Sequence, residues 1–394
     1  MTSNALSKTF TDFFESEKSG GYILIICTVA SIAIANSSIG GLYLGFWQSK
    51  IGGLSLEHWI NDALMAVFFL LIGLELEREL YIGELSDVKS ALLPAVAAAG
   101  GMIAPALIHF SLNAGTPTQN GMGIPMATDI AFAMGILAIL GSRVPSSLKV
   151  FVVAFAVIDD LGAIVIIAVF YTAQFSIEYF LGALLVWVLL LALNLIFRIP
   201  SLIPYLLGGA IMWFLMLKSG VHATIAGVLL AFAIPFSTKR KEQPSPSHRL
   251  EHALHKPVAF AILPIFALAN TGIVVQGDWF QQLTSANSMG IAAGLIFGKP
   301  AGVYIFCAAA ITIGICRLPP DLKWPHIVGA GFLGGIGFTM SIFITNLAFS
   351  DNPEIINASK MAVLVASLAA AGIGYWWLRA CGNPLAQSGE SRQS

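Results

Sequence analysis

The stretch 151–170 reads FVVAFAVIDDLGAIVIIAVF and carries two adjacent aspartates, Asp159 and Asp160, at its centre. Its length matches the roughly 20 residues that an α-helix needs to cross the hydrocarbon core of a bilayer. A charge at the centre of such a helix costs about 2.5–3.5 kcal/mol, so it usually faces a cavity or a partner. The stretch therefore predicts both a membrane span and a polar site within it.

Two adjacent carboxylates held away from water do not both ionise without compensation. Mutual repulsion and desolvation both favour their protonated forms. The pair can then be occupied in two stable ways, either by protons or by a small hard cation such as sodium or lithium. Two ionised aspartates with one sodium ion carry a net charge of −1, whereas the doubly protonated pair is neutral. Exchange between these two occupied states would move charge across the membrane, which predicts an electrogenic process. The alternative reading, a helix end at the interface, is disfavoured by the apolar residues on both sides.

The composition extends the membrane interpretation to the whole chain. Of the 394 residues, 57% are hydrophobic and only 10% are charged, with a mean hydropathy of +0.82. Soluble domains carry roughly 25% charged residues, so this chain lacks the polar surface to face water on all sides. It contains no basic stretch with interleaved aromatic residues, so we expect no nucleic-acid partner. We predict an all-α polytopic protein that contacts membrane lipid and needs no cofactor.

Apolar windows long enough to cross a bilayer divide the chain into twelve predicted transmembrane helices within a single domain, 1–394. Three predicted cytoplasmic segments flank or interrupt them, at 1–19, 237–255 and 380–394. The twelve windows lie near 20–36, 57–80, 89–112, 121–140, 148–172, 178–197, 202–217, 221–236, 256–275, 288–312, 326–349 and 358–379.

The distribution of basic residues predicts the orientation. If the spans alternate, sixteen of the twenty Lys and Arg lie on the side that holds both termini, three lie on the other side, and Lys299 lies within a span. Loops on the cytoplasmic side of membrane proteins carry the excess of Lys and Arg. We therefore expect both termini in the cytoplasm, and the clear asymmetry favours an even number of spans.

Two predicted spans are interrupted by helix-weakening residues, one in each part of the chain. Thr128-Asp129 follows Gly123-Ile124-Pro125 in the fourth span, and the eleventh contains Gly334-Gly335-Ile336-Gly337-Phe338-Thr339. Matched interruptions of this kind indicate a binding site near the bilayer midplane. Two simpler readings stay open: Asp129 caps a helix at the interface, and the glycines allow close helix packing.

Other ionisable residues fall in or beside apolar spans. Lys299, in Gly298-Lys299-Pro300, needs a carboxylate neighbour to keep its charge when buried, and Asp159, Asp160 and Asp129 are the candidates. Asp62 lies early in the second span, where placement at the interface is the favoured interpretation. The charges at the end of that span read as ordinary solvated charge. Glu251, His255 and His222 lie near helix starts, where histidine beside a carboxylate could sense pH, although polar helix ends are an equal alternative.

The chain resembles the NhaA family of bacterial sodium/proton antiporters over about residues 20–379. The segments that carry the resemblance are WINDALMA at 59–66, ATDIAF at 127–132, IDDLGA at 158–163, KSGVHAT at 218–224 and GIGFTMS at 335–341. The resemblance implies twelve helices, an inverted repeat formed by spans 3–5 and 10–12, and broken, crossing helices at spans 4 and 11.

The same resemblance implies roles for particular residues. Asp159 and Asp160 would carry sodium, lithium or protons, and Thr128 and Asp129 would line or compensate the crossing. Lys299 would pair with Asp159 or with the broken helix ends. A pH response would involve Glu75, Glu79, Glu251, His255 and His222. The segment 41–56, whose Gly52-Gly53 pair could turn a hairpin or lie in an irregular loop, would form a homodimer.

Two departures from the family pattern qualify these expectations. Glu77 stands where similar sequences tend to carry a base, which makes the acidic cluster denser, and the segment 41–56 is slightly short. The predicted function is pH-regulated sodium/proton antiport by alternating access in the bacterial inner membrane, without enzymatic activity.

Three other functions have sequence requirements that can be compared with this chain. A sodium-coupled solute symporter would need a larger pocket with anchors for a solute, and the sequence offers no such set near the aspartates. An intramembrane aspartyl protease could use Asp129 with Asp160, but no Gly-x-Gly-Asp motif is present. A channel is disfavoured because no carbonyl filter sequence appears.

Overall fold

The computed structural model describes residues 8–83, 85–86, 88–172, 175–237, 245–275, 277–350 and 352–382. Parts of the three predicted cytoplasmic segments lie outside the described residues, namely 1–7, 238–244 and 383–394. The described chain is almost wholly helical. Its α-helices are α1 (Lys8–Ala35), α2 (Gly40–Trp47), α3 (Leu56–Trp59), α4 (Met65–Tyr81), α5 (Val88–Asn113), α6 (Ile130–Leu140), α7 (Ser146–Phe170), α8 (Ile177–Leu195), α9 (Ile203–Ser219), α10 (Ile225–Ala231), α11 (Pro246–Pro257), α12 (Leu263–Asn270), α13 (Trp279–Leu283), α14 (Ala286–Ala293), α15 (Lys299–Ile313), α16 (Trp324–Gly334), α17 (Phe338–Ala348) and α18 (Pro353–Cys381).

Several of these helices join end to end into membrane spans. Within the described ranges, eight continuous helical stretches are long and apolar enough to cross a membrane, or ten if each of two bent pairs counts as one span. The bent pairs are α1 with α2, which turn through 118°, and α16 with α17, which turn through 47°. The fold is therefore an all-α polytopic membrane protein, as predicted.

The predicted count of twelve spans is not reached by this measure. Helix α9 is a shorter apolar helix, and α10, in the window 221–236, has only seven residues. At 1.5 Å per residue, seven residues extend about 10 Å, whereas the hydrocarbon core is about 30 Å thick. Twelve spans and the inverted repeat of spans 3–5 and 10–12 stay predictions.

The outward faces of the helices are apolar. In α8 only 11% of the most apolar window is buried within the protein, and leucines such as Leu181, Leu185 and Leu189 are more than half exposed. Soluble monomers rarely expose apolar patches of such extent. These side chains suit contact with lipid, where an apolar surface has no cost.

The segment 41–56 forms a short helix followed by a hairpin. Strands β1 (Lys50–Ile51) and β2 (Leu54–Ser55) pair antiparallel around Gly52 and Gly53, whose φ angles are +62° and +91°. Two successive residues with positive φ are typical of the tight hairpin turns that favour glycine. The indole of Trp59 donates to the carbonyl of Ile51 at 2.9 Å and ties the hairpin to α3.

Both interruptions predicted from glycine and proline are present. The fourth predicted span begins as a 3-10 helix, Gln119–Met126, passes through extended backbone at Ala127 and Asp129, and continues as α6. In the eleventh, α16 ends at Gly334 and α17 starts at Phe338. Proline and glycine weaken a helix interior, and non-helical backbone at membrane depth requires a protein-lined or water-lined surrounding.

Three π-helical turns lie within the spans, at Ile60–Leu64, Val258–Ile262 and Gly294–Gly298. Each one leads directly into a regular helix, namely α4, α12 and α15. Such turns are rare in proteins and often mark functional positions. The last of them ends immediately before Lys299, so it sets the direction in which that side chain enters the bundle.

Glycines permit the closest helix contacts. A Cβ atom on Gly302 of α15 would lie 2.1 Å from the carbonyl oxygen of Gly100 in α5, and one on Gly334 would lie 2.8 Å from the ring of Phe155. The glycines of the eleventh span therefore serve both predicted purposes: they allow close helix packing and they interrupt the helix. Close packing brings α7 and α16 together beside the aspartates.

Candidate functional site

The two interruptions lie against each other at the centre of the protein. The amide of Asp129 donates to the carbonyl oxygen of Ile336 at 2.6 Å, and the hydroxyl of Thr128 donates to the carbonyl oxygen of Gly334 at 2.8 Å. Each interrupted segment thus provides hydrogen-bond partners for backbone groups that the missing helical turn of the other segment leaves free. Unpaired backbone groups are costly away from water, so this exchange explains how both breaks are tolerated.

Asp129 is the side chain that joins the two breaks. It occupies the N-cap position of α6, where its carboxylate accepts from the amide of Phe132 at 3.3 Å. Its other oxygen accepts from the hydroxyl and the amide of Thr339, at 2.5 Å and 3.1 Å. The prediction that Asp129 caps a helix is therefore confirmed. The capped end lies at the buried break in the span and not at the membrane interface.

Lys299 is fully buried and engages two groups of the site. Its Nζ atom lies 2.6 Å from Oδ2 of Asp159 and 2.8 Å from the hydroxyl of Thr128. The ammonium group also lies 5.5 Å from the ring centre of Phe155, within the range of a cation–π interaction. Of the three carboxylates considered from the sequence, the structure brings Asp159 into contact with this lysine.

Asp160 differs sharply from its neighbour. It is 1% exposed, and neither of its carboxylate oxygens has a hydrogen-bond partner among the described residues; Oδ1 of Asp159 is also unpartnered. Buried polar groups without partners are rare and call for an explanation, such as an ion that they bind. Three carboxylate oxygens are thus available at adjacent positions of α7.

A narrow cavity reaches Asp160. Its volume is about 20 Å³, enough for one or two water-sized occupants and too small for an organic solute. Helices α4 and α17, the break before α6, and the Val258–Leu263 turn contribute to its wall. The lining residues are Phe68, Leu71, Ile72, Glu75, Thr128, Asp129, Ile130, Ala131, Asp160, Val258, Leu263, Thr339 and Met340.

These oxygens fit a small hard cation better than a transition metal. The described residues contain no group of three or more His, Cys, Asp or Glu side chains placed to hold a metal ion. Hard cations prefer carboxylate, hydroxyl and carbonyl oxygens, which are the groups present here. The unpartnered oxygens of Asp159 and Asp160 would hold sodium as a transported substrate, or protons in its place.

A second cluster of charges joins α4 to α11. Arg78 contacts Glu79 at 2.9 Å and Glu251 at 2.8 Å, and His255 lies 3.3 Å from Glu75 and 3.9 Å from Glu251. The glutamates of this cluster are at most 8% exposed. The interpretation of the charges on α4 as solvated is therefore wrong, because α11 packs over them.

Glu75 belongs to both sites, since it contacts His255 and also lines the cavity of Asp160. Glu77, the residue that departs from the family pattern, accepts from the hydroxyl of Ser247 at 2.7 Å and extends the contact between α4 and α11. Among the described residues of the cluster, Glu75 therefore shares the cavity with Asp160.

The remaining candidates lie elsewhere. His222 bonds through Nε2 to the carbonyl oxygen of Tyr171 at 2.9 Å and is not part of the Glu75–Glu251 cluster. Asp62 is buried, with 8% of its surface exposed, and pairs with the half-exposed His58 at 2.8 Å; its placement at the membrane interface stays a prediction. Sequence reasoning missed the role of Thr339 as the partner of Asp129 and that of Arg78 as a bridge. The GIGFT motif contains Thr339, but only its glycines were interpreted.

Comparisons with known proteins identify relatives over nearly the whole chain. A family described as Na+/H+ antiporter 1 matches residues 11–378. The Na(+)/H(+) antiporter NhaA of Dechloromonas aromatica (strain RCB) is 69% identical over 377 residues, covering 96% of this chain and 97% of the relative. The NhaA of Cytophaga hutchinsonii is 57% identical over 374 residues, which covers 95% of this chain and 96% of the relative. The NhaA of Vibrio campbellii (strain ATCC BAA-1116) is 50% identical over 372 residues, which covers 94% of this chain and 95% of the relative.

These matches extend over nearly the whole chain and confirm the resemblance drawn from the sequence. The matched region contains the paired aspartates, both interruptions and the charge cluster between α4 and α11. The chain therefore belongs to the Na+/H+ antiporter 1 family, in which its relatives carry the name NhaA.

Proposed function

We propose that the chain is an electrogenic antiporter that exchanges sodium or lithium for protons at Asp159 and Asp160. The observation that carries the proposal is the buried carboxylate of Asp160, which has no hydrogen-bond partner among the described residues and faces a cavity of ionic size. The names of the close relatives support sodium/proton antiport as the activity. The small cavity argues against a solute symporter.

The exchange follows from competition for the same oxygens. In the proton-loaded form, Asp160 is protonated and Lys299 neutralises Asp159, so the site carries no net charge. Sodium needs the oxygens of both aspartates, so its binding displaces the proton of Asp160 and the ammonium group of Lys299. If Lys299 then gives up its own proton, two protons leave for each sodium ion that binds.

The two loaded forms would reach opposite faces by alternating access. The interruptions at Asp129 and at Gly334–Gly337 supply flexible backbone at the site, and the helices around them could rock without breaking the contacts between the breaks. A proton-loaded and a sodium-loaded transit then differ by one unit of charge. A membrane potential therefore acts on the cycle, at about 2.3 kcal/mol per charge per 100 mV.

The proposal predicts salt-driven proton movement that depends on the membrane potential. In everted membrane vesicles holding a proton gradient, addition of sodium or lithium should dissipate the gradient, whereas potassium should have little effect. Clamping the potential to zero with potassium and valinomycin should slow or speed the exchange according to the sign of the potential removed. If the exchange rate does not respond to an imposed potential, the two-proton cycle is wrong.

We propose that the cluster of Arg78, Glu75, Glu79, Glu251 and His255 makes the exchange pH-dependent. Histidine changes its charge near neutral pH. When protonated, His255 would attract Glu75 and Glu251 and hold α11 against α4, which would keep the cavity narrow. Its deprotonation at higher pH would release this contact. His222, which lies apart, would contribute through its bond to the backbone at Tyr171.

Replacement of His255 by glutamine should shift the activity profile to lower pH. The variant lacks the charged form that joins α4 to α11, so half-maximal exchange should move by about half a pH unit or more, because the charge change of histidine falls between about pH 5 and pH 8. The measurement is the initial exchange rate between pH 6 and pH 9. His252→Gln is the matched control, because His252 is exposed on the same helix. Equal profiles for both variants would contradict the role of His255.

We also propose where the protein is located and how it assembles. The excess of Lys and Arg in alternate loops supports placement in the bacterial inner membrane with both termini in the cytoplasm. The hairpin within 41–56 projects Ile51 with 58% of its surface exposed. An exposed two-stranded edge of this kind can pair with a second copy, which supports the proposed homodimer.

A further inference from the structure

Three asparagine side chains form a hydrogen-bonded chain near one end of the bundle. Asn270 of α12 donates to Oδ1 of Asn61 at 2.8 Å, and Asn346 of α17 donates to Oδ1 of Asn270 at 2.5 Å. We call Asn61, Asn270 and Asn346 the amide cluster. The remaining oxygen, Oδ1 of Asn346, is buried and has no hydrogen-bond partner in the part of the chain that is described.

On three separate elements, the amide cluster lies about two helical turns from a residue that lines the Asp160 cavity. Asn61 precedes the cavity residue Phe68 by seven residues, Asn270 follows Leu263 by seven, and Asn346 follows Thr339 by seven. Seven helical residues extend roughly 10 Å. Two helical turns along each element therefore lead from the cavity to the amides, all toward the end of the bundle where α3 begins and α12 ends.

Along α17 and α12, Phe343 and Phe266 lie between cavity-lining residues and the amides, and we call these two rings, with Phe69 packed against Phe343, the aromatic layer. Phe343 follows Thr339 by four residues on α17, and its ring centre lies 5.7 Å from that of Phe69 and 6.4 Å from that of Phe266. All three rings are at most 1% exposed. An ion that moves between Asp160 and the amides would therefore have to pass these rings.

Beyond this layer the surroundings become more open. Asn61 and Asn346 are only partly buried, in contrast to the rings beneath them. A sodium ion that leaves Asp160 in this direction, or arrives from it, would meet polar oxygens first at this position. Neutral amide oxygens bind a cation weakly, which suits a position that an ion must both enter and leave.

We propose that the amide cluster is a transit site for the transported cation, at which Oδ1 of Asn346 replaces a water ligand as the ion passes the aromatic layer. The inference rests on the proposed antiport and adds a second position on the ion's route. The amides also join three helices, which is a common use of asparagine in membrane bundles. The test must therefore separate transport from helix association.

Asn346→Leu removes the free oxygen at similar volume, and its effect should differ between sodium and lithium. At equal charge, a smaller cation gives up its water more reluctantly, so lithium should depend more on a protein oxygen. With the purified full-length chain in proteoliposomes, we expect the ratio of lithium-driven to sodium-driven turnover to fall by about three-fold or more relative to the parent. Equilibrium binding of sodium to the aspartates should stay within about two-fold.

Matched variants make the outcome decisive. Asn346→Ala, which adds no bulk, should lower the ratio in the same way and replaces the leucine variant if that chain does not fold. Asn346→Ser keeps a neutral oxygen and should retain the parental ratio. Asn357→Leu removes an amide whose groups both bond to the backbone of Val274, and it too should keep the parental ratio.

An unchanged ratio in both the leucine and the alanine variant would overturn the transit site, even if their rates or thermal stability fall. That result would assign the amides to helix association alone. A parent chain that exchanges neither cation would instead overturn the proposed antiport, so the two failures are distinguishable.

Discussion

Asp160→Asn should abolish sodium-driven proton movement while leaving the fold intact. Asparagine has the shape of aspartate but carries no charge and accepts no proton, so the site loses its binding of both sodium and the proton. Loss of a buried charge from an ion site is worth about 3 kcal/mol or more, which corresponds to at least about a hundred-fold in turnover or affinity. The decisive assay is proton movement in everted vesicles on addition of sodium or lithium.

The stability of the same variant gives an independent readout. The carboxylate of Asp160 is buried without a partner, which is unfavourable when it is charged. A neutral amide removes that cost, so the apparent Tm of the purified variant should equal or exceed that of the parent. A loss of exchange without a loss of stability would therefore reflect the chemistry of the site.

Asp278→Asn is the matched control for this experiment. Asp278 is exposed, lies at the start of α13, and bonds to Gln282 at 3.1 Å, far along the chain from the paired aspartates. Its neutralisation should leave the exchange unchanged. Exchange that survives in Asp159→Asn/Asp160→Asn would disprove the central claim that these two carboxylates carry the ions.

Lys299→Met should cause the largest loss of stability of any single change at the site. The lysine lies 2.6 Å from Asp159, and both side chains are fully buried. Removal of one partner of a buried ion pair leaves an uncompensated charge and typically costs about 3–5 kcal/mol. Thermal unfolding of the purified protein in detergent should show a clearly lowered apparent Tm.

The double variant Asp159→Asn/Lys299→Met tests the cause of that loss. It replaces the charged pair by a neutral pair, so it should recover most of the stability lost in the lysine variant. The two residues are in contact, and their effects should therefore be strongly non-additive. A double variant as unstable as Lys299→Met, or a single variant as stable as the parent, would contradict the importance of the ion pair.

Lys218→Met serves as the control for loss of a lysine as such. Lys218 is exposed at the end of α9, where its ammonium group lies 5.8 Å from the ring centre of Phe214. An exposed contact of this kind contributes about 0.5–1 kcal/mol, so its Tm should change little. Comparison of the two lysines isolates the effect of burial and of the carboxylate partner.

The local sequence was sufficient for the features that depend on residues near each other. Hydropathy over about 20 residues predicts spans because the bilayer has a fixed thickness. Asp159 and Asp160 are conspicuous within such a span, and glycine and proline predict the interruptions at Asp129 and Gly334–Gly337 through their known effects on helices. The Gly52-Gly53 pair allowed a hairpin for the same local reason, although the sequence left an irregular loop as an equal alternative, and the structure selects the hairpin.

Contacts between distant segments required the tertiary structure. The sequence left Lys299 with three possible carboxylate partners, and packing of both α7 and α15 against α5 brings Lys299 to Asp159. Glu75 and Glu251 read as ordinary helix ends until α11 is seen to cover α4. The contact of Thr339 with Asp129 joins residues 210 positions apart, which no local pattern indicates.

The sequence by itself determined that this is a helical membrane protein and predicted a site at its paired aspartates, because the cost of charge in hydrocarbon acts on each segment separately. The tertiary structure alone decided which oxygens stay unpartnered, which aspartate the lysine neutralises, and which charges share a cavity. These properties depend on distances of a few ångströms between helices, and those distances are set by packing of side chains from the whole chain.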